Sequence, residues 1–255
     1  KLDRGWAPKV HGPVYALARA GGKLYLGGSF TKVDGKPRAR LASIDLRTRS
    51  LTSWHPAVSG RKDEGAEVYE LAVGPGGRLL YVAGNFRRMN RKARPALAAV
   101  DRVTGAVEAW RPAVNGAVYV LGVDPRGRAV YAGGAFTRAG ELERIGVAAF
   151  DTQTAATTRW NPDCDGEVAA IVATRSGSPI YVGGTFASIG GKSRRGLAAV
   201  DARTGAATPW DPKVAGAVHT LALSQRRNTI SFGGEFTAVG GRERSNVAAV
   251  DTRTA

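Results

Sequence analysis

The densest set of potential ligating groups in the chain is Asp163-Cys164-Asp165-Gly166-Glu167, three carboxylates and the single thiol within five residues. Carboxylate oxygens at that density suit a hard cation such as calcium. Two features weigh against a metal: Asp-Gly is an ordinary turn pair, and three ligands inside five residues converge poorly. The sequence therefore predicts no metal centre, with Asp163, Asp165 and Glu167 as the weak candidates, and no cofactor. Cys164 has no second cysteine in the chain to pair with and sits in no zinc-binding spacing. Hydrolytic chemistry has little to draw on. There are three histidines, His11, His55 and His219, and no Gly-x-Ser-x-Gly elbow, His-Glu-x-x-His pair or P-loop. Glu70, Glu167 and His219 fall on strands expected near a common axis. A glycosidase built from such acids needs a carboxylate pair roughly 5–10 Å apart.

Recognition chemistry is better supplied. Tyr15, Tyr69, Tyr119 and His219 occupy one position of a recurring Val-Tyr-x-Leu string, where aromatic rings offer stacking surfaces for sugars. Trp6, Trp54, Trp110, Trp160 and Trp210 each precede x-Pro; they read as sugar platforms or as staples between a loop and its sheet, the second being favoured. Arg38, Arg94, Arg144, Arg194 and Arg244 recur in every copy and read as anion-binding arms or, preferably, as scaffold parts whose planar donors fix a loop. Positions that differ between otherwise matching copies are better markers of a unique site. Before the Pro these are Ala7, His55, Arg111, Asn161 and Asp211; further on they are His11, Ser59, Asn115, Asp165 and Ala215. The second copy also inserts Arg61–Gly65 and carries the densest basic loop, with Arg87, Arg88, Arg91 and Lys92 beside the recurring Arg94.

The elements that position these residues follow from a repeat. Gly-Gly-x-Phe centres place Phe30, Phe86, Phe136, Phe186 and Phe236, each followed by an Ala-Val-Asp-type strand ending at Asp45, Asp101, Asp151, Asp201 and Asp251. The aspartates lie 56, 50, 50 and 50 residues apart, and 49 counted from Asp251 through the chain ends to Asp45. In the third copy, strands are expected over 117–123, 129–132, 147–151 and 155–160, separated by Gly, Pro and Asp turns. Four short strands per fifty residues, with no helical period, predict an all-β fold: a five-bladed β-propeller of four-stranded blades. One domain is expected over 1–255, with blades at 10–54, 58–110, 114–160, 164–210, and 214–255 plus 1–7, so that the N-terminal strand closes the last blade. A piece of a larger ring cut in phase is the alternative.

Net charge is +16 with His neutral, a field that favours polyanions such as nucleic acid, acidic polysaccharide, teichoic acid or anionic headgroups. The loops 31–40, 87–96, 137–146, 187–196 and 237–246 carry +3, +5, 0, +3 and +1. The loops at the opposite end of the sheets are basic as well, so sign alone selects no docking face. No stretch is long and apolar enough for a transmembrane helix.

The run Val14-Tyr-Ala-Leu-Ala followed by Leu24-Tyr-Leu-Gly-Gly-Ser-Phe30-Thr-Lys-Val-Asp-Gly-Lys-Pro-Arg38 and Leu41-Ala-Ser-Ile-Asp45 resembles the delta-60-type β-propeller repeats of bacterial extracellular proteins. Similar strings occupy 81–101, 131–151, 181–201 and 231–251, with Ala83-Gly84 and Arg87 departing from the pattern in the second copy. The resemblance implies an extracellular or cell-surface propeller. It supplies no catalytic residues, because that family is largely of unknown function. The expectation is a non-catalytic secreted module for a carbohydrate or an anionic surface polymer, with nucleic acid reached only through non-specific charge. A structural or protein-interaction scaffold is the second reading and an enzyme with a site at a central channel the third. The residues expected to bind are Tyr15, Tyr69, Tyr119, His219, His55, Arg111, Asn161, Asp211, Arg87, Arg88, Arg91 and Lys92.

Overall fold

The computed structural model describes residues 6–60, 65–224 and 226–254. Among them every regular element is a β-strand except one 3-10 turn at Pro75–Gly77. The chain forms two compact units, Lys1–Ala113 and Val114–Ala255.

The first unit shows the repeat most completely. Val14–Ala20, Lys23–Gly28, Leu41–Asp45 and Ser50–Leu51 pair antiparallel in that order. Gly21 and Gly22 turn the first hairpin with φ of 53° and 71°, the paired positive values that a tight hairpin needs to match strand twist. The second repeat pairs Val68–Val73 with Leu79–Gly84 and the latter with Leu97–Asp101. In the second unit the corresponding triplets are Ala117–Val123, Ala129–Ala135 and Val147–Asp151; Val168–Ala173, Ile180–Gly184 and Leu197–Val200; and Val214–Ser224, Thr229–Val239 and Val247–Asp251.

Two expectations need correction. The outer strand expected over 155–160 is a single bridge, Phe150 to Thr157, matched by Val100–Val107 and Val200–Ala207. Ala155 takes φ 62°, and Trp160 then leaves the ladder to pack and bond elsewhere, so only one residue between them meets the sheet. The basic loops are also not plain loops. Lys32–Val33 with Lys36–Pro37, and Arg88–Met89 with Lys92–Ala93, form two-residue hairpins. These pair in turn with Val10–His11 and Val58–Ser59, the segments leading to the inner strands. Lys1–Gly5, most of the expected closing strand, and the inserted Arg61–Glu64 lie outside the described residues. Among the described residues Val247–Asp251 pairs with Thr229–Val239 alone.

The recurrent motif has a packing explanation. The five motif phenylalanines are 0–3% exposed. A Cβ on the first motif glycine would strike the next repeat: Val68 Cγ1 at 2.6 Å from Gly27, Val168 Cγ1 at 2.7 Å from Gly133, Val218 Cγ1 at 2.9 Å from Gly183. Only hydrogen lets neighbouring sheets approach that closely. A Cβ on the second glycine would run into the carbonyl oxygen of the residue before the inner-strand Val: Pro13, Glu67, Ala117, Glu167 and Ala217 against Gly28, Gly84, Gly134, Gly184 and Gly234. Trp54, Trp110, Trp160 and Trp210 are nearly buried and meet Tyr25, Tyr81, Tyr131 and Tyr181 edge-on at 5.0–5.1 Å. Their staple role, rather than a sugar-platform role, follows from that burial.

Candidate ligand-binding site

All five inner strands carry a β-bulge one residue after Val14, Val68, Val118, Val168 or Val218, where the pairing register slips; the fifth has a further slip after Val214. The unpaired residues are Tyr15, Tyr69, Tyr119, Ala169 and His219. A bulge frees one residue from the ladder and re-aims its side chain. The four sequence-predicted inner-strand residues therefore share one structural position, at the sheet end that carries the basic hairpins.

In the first unit this position builds a cluster. The Tyr15 and Tyr69 rings lie 5.9 Å apart with a 48° tilt. Both hydroxyls donate to Glu67, Tyr69 to Oε2 at 2.5 Å and Tyr15 to Oε1 at 3.3 Å. Ser29 Oγ donates to the Tyr15 hydroxyl at 3.4 Å. The Glu67 backbone is held by Asn85, whose Oδ1 accepts the Glu67 amide at 2.7 Å while the Asn85 amide donates to the Glu67 carbonyl. Tyr15 remains 48% exposed. Tilted ring faces beside a carboxylate and a serine hydroxyl can stack on, and hydrogen-bond to, a polyhydroxylated ligand. Glu67, Ser29 and Asn85 are not among the residues the sequence singles out. Their signal lies in the residue before the inner-strand Val and in the variable x of Gly-Gly-x-Phe, which face each other across the bulge.

Glu70 lies on the same inner strand, where burial pushes its carboxyl above the ordinary 4.5 despite the Leu71 amide donating to it. A raised folded-state value disfavours ionisation, so stability is fully present below the ordinary value and is lost as pH rises through the folded one. Glu70→Gln is expected to raise the melting temperature at neutral pH and to leave it unchanged near pH 3–4, a difference thermal denaturation at the two pH values reads directly.

The basic hairpin of the second repeat flanks this unit's site face. Arg87, Arg88, Arg91 and Lys92 are exposed. Arg88 donates to the Arg91 carbonyl at 3.3 Å and Lys92 Nζ to the Val107 carbonyl at 3.2 Å, fixing the hairpin while leaving its charge in solvent. His55 and Arg111 are exposed too. His55 Nδ1 contacts the Ser53 carbonyl, and the Arg111 charge adds to burial in lowering the Arg94 pKa. The recurrent arginines are scaffold parts. Arg38, Arg94, Arg144 and Arg194 each donate one guanidinium nitrogen to the preceding carbonyl, and the other to the carbonyl of Thr52, Glu108, Thr158 or Thr208.

The second unit brings fewer candidates together. Tyr119 is half-buried, and exposed His219 has Nε2 3.7 Å from Glu235 Oε1. Asn161 and Asp211 act locally: Asn161 Oδ1 accepts the Asp163 amide, while Asp211 accepts the Lys213 amide and lies 3.4 Å from Arg194. The acidic pentapeptide is also used internally. Asp165 accepts the Ala187 and Ser188 amides and the Ser188 hydroxyl, which hold its carboxyl below the usual range. Cys164 is buried, donates to the Gly166 carbonyl and is pushed up to about 11 by desolvation. Among the described residues no group of three His, Cys, Asp or Glu side chains is placed to hold a metal ion.

Comparison with known proteins bears on the fold. A family described as "Domain of unknown function (DUF5122) beta-propeller" matches residues 22–42, the hairpin from Gly22 through the Gly-Gly-x-Phe motif to Ala42. No curated protein matches the chain. Among solved structures, a chain of the mitotic checkpoint complex is similar with 13% identity and a TM-score of 0.59, over 91% of this chain and 61% of that one. The β-propeller domain of Myceliophteria thermophila Cps50 (Swd1) is similar with 17% identity and a TM-score of 0.60, over 89% of this chain and 65% of that one. This chain thus spans less than two thirds of the length of either neighbour. At such identities the likeness concerns fold alone, and with the match at 22–42 it makes the chain an all-β protein of the β-propeller kind.

Proposed function

We propose that the protein is a non-catalytic binding module for a carbohydrate or an anionic surface polymer, acting outside the cell or at its surface. The observation that carries this reading is the Tyr15–Glu67–Tyr69 cluster beside an exposed basic hairpin. Aromatic faces supply contact area at low entropic cost, the carboxylate takes sugar hydroxyls, and the arginines attract anionic groups. Repetition of the bulge along the chain adds weaker equivalent positions, and linked weak sites gain by effective concentration.

The test is a glycan array extended with teichoic acid, heparin and DNA, read at low and at physiological salt. Binding of a defined glycan at both salts supports the module. Binding only to polyanions, falling steeply with salt, reduces it to counterion release. Tyr15→Ala is expected to lower affinity for the array-selected glycan about tenfold, as truncation of a central aromatic contact does. Titration of both proteins by calorimetry measures it; equal affinities would remove Tyr15 from the site. A protein-interaction scaffold is the second reading, favoured by the similarity to a chain of the mitotic checkpoint complex, a protein assembly. Silence across the array together with a captured protein partner would select it.

A further inference from the structure

We infer that the second unit holds a small-molecule site separate from the bulge cluster: a pocket between the third and fourth repeats that takes the phosphate or sulfate monoester of a small polyol. It lies at the 124–128 turn, which follows the end of Ala117–Val123 away from the Tyr119 bulge. The first unit shows what fills the corresponding space there. Arg102, directly after the strand-ending Asp101, reaches from the second repeat to the first and lies against Gly21. Its Nε donates to the Gly77 carbonyl, and its Nη1 to the Ala20 carbonyl at 3.3 Å and the Tyr25 hydroxyl at 3.1 Å. The Tyr25 hydroxyl donates in turn to the Arg102 carbonyl at 3.0 Å.

Between the third and fourth repeats the equivalent of Arg102 is Ala202, whose methyl cannot make that crossing. A pocket of about 490 Å³ is left, within the roughly 300–1,000 Å³ typical of small-molecule sites. Tyr131, the equivalent of Tyr25, lines it and is 3% exposed. Its hydroxyl has no hydrogen-bond partner among the described residues, whereas Tyr25 and Tyr181 each donate to a carbonyl of the following repeat. Burial, with the Asp124 charge adding to it, pushes the Tyr131 hydroxyl up to about 12, so it stays a protonated donor well above neutral pH. Buried polar groups are nearly always satisfied, and an unsatisfied donor on a pocket wall marks where a ligand's acceptor goes.

The lining decides the charge of that ligand. Its carboxylates are already engaged. Asp124, 1% exposed, accepts the Arg126 amide at 3.0 Å and pairs with Arg128 Nε at 2.8 Å. Asp151 and Asp201 accept amides and a threonine hydroxyl of their own turns. The guanidinium groups of Arg126, Arg159 and Arg203 line the same pocket and have no acceptor among the described residues. Arg128 Nη2 and Arg126 Nη1 lie 3.3 and 3.6 Å from where a Cβ on Gly177 would stand, so two of the cations converge on one wall. Planar, forked donors of this kind hold a tetrahedral oxyanion. An inorganic oxyanion would leave much of the volume empty. Thr158 and Ser178 on the remaining wall suit the hydroxyls of a short polyol.

Calorimetric titration of the whole chain at fixed ionic strength tests it, with glycerol phosphate, glucose phosphate, glucose sulfate, glucose and inorganic phosphate as probes. An ester should bind at a single site, more tightly than glucose or inorganic phosphate, and the phosphate and sulfate arms tell the two esters apart. Tyr131→Phe should lower that affinity about tenfold or more, as loss of a hydrogen bond to a charged group does. It should leave the melting temperature unchanged, because the hydroxyl has no partner to lose; Tyr25→Phe, which loses two bonds, should melt lower. Ala202→Arg should fill the pocket as Arg102 does in the first unit, abolishing ester binding and raising the melting temperature. Failure of every ester to bind would overturn the proposal. So would an affinity that Tyr131→Phe and Ala202→Arg both leave unchanged, which would move the ester to the basic hairpins. A Tyr131→Phe protein that melts lower would show the hydroxyl to be satisfied already, and would overturn it as well.

Discussion

Trp160→Ala is expected to cost about 3–5 kcal/mol of folding stability, the range for deleting a large buried aromatic. Trp160 is 3% exposed and belongs to the cluster that includes Val168, Ile171, Val182 and Val200. Three losses coincide. The apolar ring leaves a cavity between two repeats that close-packed strands cannot fill by relaxing. The edge-on contact with Tyr131 at 5.0 Å disappears, a pair worth about 0.5–1.5 kcal/mol beyond its area. The Asp201 carbonyl loses the indole N–H it accepts at 3.0 Å. Trp160→Phe separates these, because it restores most of the volume without the donor. Trp6→Ala provides the contrast: Trp6 is only half-buried and its N–H has no acceptor, so its loss should cost clearly less. Denaturant midpoints at constant m-value measure all three. Equal costs for Trp6 and Trp160 would show that the hydrogen bond and the aromatic contact contribute nothing.

Gly84→Ala should be the second most damaging single change, about 1–3 kcal/mol in stability with a loss of ligand affinity on top. The reason is not backbone conformation, since Gly84 does not have positive φ. The added methyl would run into the Glu67 carbonyl oxygen and lie 3.0 Å from Phe86 Cδ1. A carbonyl in a bulge cannot retreat without moving its residue, and Glu67 holds the hydroxyls of Tyr15 and Tyr69. Gly233→Ala is the contrast, at the first glycine of the motif, where the nearest atom to the added methyl is the end of a side chain, Thr220 Cγ2 at 3.1 Å. It should cost clearly less than Gly84→Ala. A Gly84→Ala protein with wild-type stability and binding would mean that the bulge does not depend on the glycine.

The second glycine of Gly-Gly-x-Phe is legible in the sequence because it answers a local steric demand repeated in all five copies, the carbonyl of the residue before the inner-strand Val, whereas the first gives way to Ala83 in the second copy. The same is true of Arg38 and its equivalents, whose recurrence regardless of neighbours marks them as scaffold. The site is legible only in part. Tyr15, Tyr69, Tyr119 and His219 stand out as one position of the repeat, and the fold adds that this position is a bulge. His55, Arg111, Asn161 and Asp211 stand out because they vary between copies. Asn161 and Asp211 bond their own turns, since short polar side chains before Pro satisfy backbone amides first. Variation between repeats marks freedom from the scaffold; it does not distinguish a ligand contact from a local cap.

Period, strand content and the all-β class follow from the residues alone, because turn glycines, Asp-x-x-Thr turns and apolar strand residues act over a few positions of chain. What depended on tertiary structure was convergence. Glu67 meets Tyr15 across 52 residues of sequence, and that meeting depends on the register of one bulge and the approach of two sheets. The collapse of the outer strand to one bridge is likewise invisible in the repeat. The Trp160 ring leaves the ladder to meet Tyr131 and the Asp201 carbonyl, and burial belongs to the neighbour as much as to the residue.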